Sequence, residues 1–160
     1  MFSTALENLD LGAKGLWFPI IISIALFLTL CFIPKQKMNI VEIYIIFCIV
    51  AFFTWLSDGI VLRVFDLIDL GAPDKPGLGD ILSYTFIPPS LACIFLCFLD
   101  SRNKWILVVL FTAISFAIEV GMEFTGYMDT KNWFKYATLI LYLITFAFLL
   151  PLQLKIIRQR

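Results

Sequence analysis

Residues 16–33 read LWFPIIISIALFLTLCFI, eighteen positions without a charge. An α-helix needs about 20 mostly apolar residues to cross the hydrocarbon core of a bilayer, so this run is read as a first span. The same pattern recurs four times. Residues 41–62 form a second run, with Glu42 at its start and Asp58 near its end. Residues 81–99 (ILSYTFIPPSLACIFLCFL) form a third, carrying Pro88 and Pro89 at mid-depth. Residues 105–122 form a fourth, with Glu119 close to its end, and residues 133–152 a fifth, with Lys135 near its start. Continuous apolar runs rather than ten-residue alternation indicate helices, since lipid forces each segment to satisfy its own backbone. The sequence therefore predicts an all-α integral membrane bundle of five transmembrane helices in a single domain spanning residues 1–160. The third helix is expected to be kinked at Pro88-Pro89, where two amide donors are missing.

Composition supports the same class. Of 160 residues, 61% are apolar and 15% charged, and Phe alone takes 17 positions. Mean hydropathy is +0.97. Ordinary globular chains are about 45–50% apolar and about 25% charged; a soluble domain of this size would leave large apolar patches in water. Net charge is zero, which gives no long-range field to recruit nucleic acid. The first fifteen residues carry Glu7 and Asp10 against Lys14 and lack the basic start of a signal peptide, so the first helix is expected to be retained. No lipidation motif is expected either.

Charge also predicts orientation. Lys35, Lys37, Arg102, Lys104, Lys155, Arg158 and Arg160 fall on one side with Glu42 and Asp100, a balance of +5. The remaining five cations and ten acids give −5 on the other. Cytoplasmic loops are enriched in Lys and Arg, which predicts a cell-membrane protein with its N-terminus outside and C-terminus inside. The basic C-terminal tail could attract anionic lipid, although the same bias accounts for it. The long connection after Arg63 reads VFDLIDLGAPDKPGLGD. Its apolar spacing at Val64, Leu67 and Ile68 predicts a short interfacial helix, followed by a turn-rich loop.

Histidine is absent, which removes the commonest metal ligand and proton shuttle. Hydrolase, zinc-protease and nucleotide-binding motifs are missing as well; no cofactor is predicted, and the one catalytic reading left, an intramembrane enzyme with Asp58 and Glu119 as acid and base, has no nucleophile in the sequence. What remains is carboxylates at membrane depth, where a charge is costly. Asp58 and Glu119 lie deepest, Glu123 shares a helix face with Glu119, and Asp80, Lys135 and Arg63 flank them. These six residues are the candidate ligand site. One reading is a protein that binds or transports a cation or cationic small molecule through an outward-facing pocket, with Asp58 and Glu119 meeting on facing helices two and four. In the other, the acids are structural and snorkel to the interface. Cys31, Cys48, Cys93 and Cys97 are read as packing residues rather than metal ligands, and the aromatic residues at the span ends as an interfacial belt.

From Trp55 to Trp133 the order of features resembles a family of small multi-spanning membrane proteins of spore-forming Gram-positive bacteria. The likeness rests on Asp58, Gly79-Asp80, Pro88-Pro89, Lys104-Trp105 and Glu119 within EVGMEFTGYMDTKNW, which includes Gly126, Tyr127 and Trp133. It implies the helical architecture and the choice of residues, and brings no activity. The lipid bilayer is the first partner. Beyond it, the expected partners are a small cationic ligand or ion and either a second copy of the chain or another membrane protein. A membrane-embedded sensor or accessory subunit is the alternative function.

Overall fold

The computed structural model describes residues 9–35, 37–65, 67–72, 77–131 and 135–159. It is an all-α bundle: α1 (Trp17–Phe32), α2 (Ile40–Asp58), α3 (Leu78–Phe98), α4 (Lys104–Thr125), α5 (Lys135–Ile144) and α6 (Leu150–Arg158). A π-helical turn, Thr145–Leu149, joins α5 to α6, making one rod. Among the described residues, four helices are long and apolar enough to cross a membrane: Ile40–Asp58, Leu78–Phe98, Lys104–Thr125 and Tyr136–Arg158.

The first expected span is the short one. Prolines bracket it: Pro19 sits in the first turn, where its missing N–H is no loss, and Pro34 drives Ile33 into an extended conformation (ψ 140°). Only 16 residues remain helical, about 24 Å at 1.5 Å each, short of a hydrocarbon core of about 30 Å.

The third, in contrast, is the axis of the bundle. Helix α3 runs unbroken through Pro88 and Pro89, and 61% of its apolar window is buried, against 17–28% in α2, α4 and the α5–α6 rod. It packs against α1 and α2 and meets α4 and α6. Phe27, Phe47 and Phe86 form edge-on ring contacts joining α1, α2 and α3. Phe95, Phe111 and Phe146 join α3, α4 and the π-helical turn through one edge-on and two tilted ring contacts, with centroids 5.1–5.7 Å apart. Outward-facing Phe52, Phe53, Ile106 and Val109 remain exposed, as side chains directed at lipid would be.

The expected interfacial helix is not formed. Helix α2 instead continues through a π-helical turn, Gly59–Val64, and the chain then enters strand β1 (Ile68–Leu70). β1 pairs antiparallel with β2 (Met128–Thr130), Asp69 opposite Asp129. The segment alternates apolar and acidic residues, the two-residue period of a strand: Leu70 and Met128 are buried in register, while Lys131 pairs with Asp69 at 2.9 Å. Of the turn-rich loop, residues 73–76 lie outside the described residues.

The two ends differ in chemistry, as the charge split implies. At the basic end, Asn39 and Glu42 form a reciprocal capping box on α2, with bonds of 2.8 and 2.9 Å. Glu42 then takes Arg158 at 2.8 and 3.3 Å, fastening the C-terminal helix to α2. Lys37 pairs with Asp100 at 3.0 Å and holds its carboxyl below the usual carboxylate range. The acidic end carries the β-pair and the turn at residues 9–16.

Candidate functional site

At the acidic end, α3 begins with Gly77 as its cap, and Asp80 three residues on accepts the Gly77 N–H at 3.1 Å. Asp80 is buried, so its other oxygen also needs a donor. Tyr127 supplies it, its hydroxyl 2.5 Å from Oδ1. Tyr127 is delivered by the end of α4, where Gly126 takes the left-handed conformation (φ 75°) and Tyr127 N–H returns to Met122 O. Gly79 makes room: a Cβ there would lie 2.2 Å from the Tyr127 hydroxyl. Burial, then the adjacent Asp80 carboxylate, raises the Tyr127 phenol above its ordinary range.

The N-terminal turn closes over this contact. Leu9 O accepts Leu78 N–H at 2.8 Å, and Asp10 Oδ2 accepts Ala72 N–H at 3.0 Å. Gly71 N–H donates to Tyr127 O at 2.8 Å. Three separate stretches of chain, at residues 9–10, 71–72 and 126–127, thus converge on the start of α3.

One turn deeper, α2 faces α3. Asp58 and Trp55, three residues apart, share a helix face, as do Asp80 and Tyr84 at a spacing of four. The Trp55 and Tyr84 rings meet edge-on at 5.3 Å, and Trp55 Nε1 donates to Thr85 Oγ1 at 3.3 Å. The Asp58 carboxylate lies in the neighbourhood of the Tyr84 hydroxyl. Asp80 lies within electrostatic reach of both Asp58 and Asp10. Asp58 Oδ1 and Tyr84 Oη are both shielded from solvent. Two carboxylates, two aromatic faces and a phenol therefore share one inter-helix region.

Of the sequence candidates, Asp58 and Asp80 lie within electrostatic reach of one another here. Glu119 accepts the Tyr142 hydroxyl at 3.0 Å, between α4 and α5. Glu123 accepts Thr130 Oγ1 at 2.9 Å, joining α4 to β2. Helix α2 packs chiefly on α3, while Glu119 on α4 turns to Tyr142 of α5. The side chains of Lys135 and Arg63 lie outside the described residues. Sequence reading missed Asp10, Trp55, Tyr84 and Tyr127. The spacings Trp55/Asp58 and Asp80/Tyr84 were the available signal. Among the cysteines, Cys93 and Cys97 are buried and Cys31 and Cys48 exposed. No group of three or more metal-ligating side chains occurs among the described residues.

Comparison with family models, with curated proteins and with solved structures finds no match.

Proposed function

We propose that this membrane protein binds a cationic small molecule, an organic ammonium, at the acidic end between α2 and α3. Supporting this reading most is the proximity of Asp58 and Asp80 around Tyr84 and Trp55. Two carboxylates in a poorly solvated region raise each other's energy when both are ionised, and a positive charge between them relieves it. Aromatic faces favour an ammonium over a hydrated metal ion. Asp10 adds a third negative charge within reach of Asp80. Orientation with this end outward follows from the charge split alone.

Calorimetric titration of the protein in lipid nanodiscs tests the proposal. Choline is expected to bind saturably, while sodium and potassium at equal concentration do not compete. Equal competition by sodium would replace the organic ammonium with a simple ion, and no binding by any of them would remove the reading.

A second reading, an accessory or sensor subunit with structural acids, draws on the hydroxyl partners of Asp80, Glu119 and Glu123, which tie separate elements together. It predicts a stoichiometric membrane-protein partner on purification and no response to ammonium ions.

A further inference from the structure

At the opposite, basic end a cleft of ≈ 540 Å³ opens between the end of α3, the loop after it and the last turn of α6. Leu96, Leu99 and Leu154 form its apolar wall, and Lys37, Ser101 and Arg158 its polar rim. We propose that this cleft seats the phosphate headgroup of an anionic phospholipid, with the first carbons of the lipid against the leucines.

Charge complementarity and spare donors carry the argument. Arg158 commits Nε and Nη2 to Glu42 and Nη2 also to Lys37 O. Its Nη1 donors make no hydrogen bond among the described residues. Lys37 spends donors on Asp100 at 3.0 Å and on Leu99 O at 3.2 Å, and an ammonium has three. Both ion pairs are well exposed on the cation's side, where water and a competing phosphate weaken them. Asp100 also faces the cleft, so the phosphate belongs on the Arg158 side, with Lys37 between. The described residues assigned to this end, six Lys and Arg against Glu42 and Asp100, carry +4, the sign that draws anionic lipid to a membrane surface. A free phosphate would gain nothing from three leucines; a lipid gains from both halves of the cleft. The cleft lies where α3 and α6 leave the apolar region, the depth at which headgroups sit.

Thermal melting in neutral detergent micelles doped with phosphatidylglycerol tests this. Phosphatidylglycerol is expected to raise the melting temperature at concentrations where phosphatidylcholine and inorganic phosphate do not. Lys37→Gln, which removes an exposed ion pair with Asp100 and an exposed bond to Leu99 O, should shift the half-maximal lipid concentration upward by about fivefold, the effect of one cation near an anionic surface. Lys155→Gln, a cation outside the cleft, should leave it within about twofold. Equal losses in both variants would mean diffuse attraction to the charged end and overturn the site. Stabilisation by inorganic phosphate alone would make the ligand a free anion, and no preference for phosphatidylglycerol would remove it altogether.

Discussion

The phenolic oxygen of Tyr127 stands 2.5 Å from Oδ1 of Asp80, directly over Gly79, where any Cβ would lie 2.2 Å from that oxygen. This contact binds the end of α4 and the β-pair to the first turn of the central helix. The geometry of the acidic end depends on it.

Gly79→Ala is expected to destabilise the protein by about 1–3 kcal/mol, the usual cost of forcing a methyl into a filled space. Tyr127 is buried and cannot swing aside, and Leu16 Cδ1 lies 2.8 Å from the same added atom. Thermal melting in detergent reads the loss. A variant as stable as the parent would mean that Tyr127 has another place to go.

Tyr127→Phe leaves Asp80 Oδ1 buried without its hydroxyl donor and should cost about 1–3 kcal/mol. The pH dependence has a definite sign. Because the folded phenol titrates above the unfolded one, its contribution is complete below about pH 10, the ordinary tyrosine value, and is lost as pH rises further through the folded value. Melting temperature should therefore fall more steeply above pH 10 in the parent than in Tyr127→Phe. Parallel curves would contradict the assignment.

At the basic end, Arg158→Gln should cost about 1–2 kcal/mol, below the full worth of a charged hydrogen bond because Arg158 is half-exposed. In a double-mutant cycle with Glu42→Gln the two losses should not add. Additive losses would show that the pair is not an energetic unit.

These contacts mark how far the chain could be read from its sequence. Apolar runs located every helix, because a bilayer leaves the backbone no other option, and the charge split separated the two ends. The run at 16–33 overstated α1, since two prolines rather than hydropathy set its length. Pro88-Pro89 predicted a kink in the third helix, yet α3 stays helical through both and packs against four neighbours. Glu42 looked like a flaw in the second span and proves to be a capping residue that also holds Arg158. Asp58 and Asp80 were legible as costly charges. Their meeting was not, because it depends on α2 packing against α3, which no helical period specifies. Tyr127 escaped because its role arises from a left-handed Gly126 and from pairing of strands that lie far apart in sequence, Leu70 opposite Met128.

The central claim is that Asp58 and Asp80 act with Trp55 and Tyr84 as one ammonium site. Trp55 reports on it directly once Trp17, Trp105 and Trp133 are replaced by Phe. Choline added to this protein in nanodiscs should change Trp55 fluorescence saturably. Asp58→Asn should abolish the change while preserving the melting transition, and Glu119→Gln should leave it intact. A response that persists undiminished in Asp58→Asn, or a folded parent with no saturable response, would contradict the account.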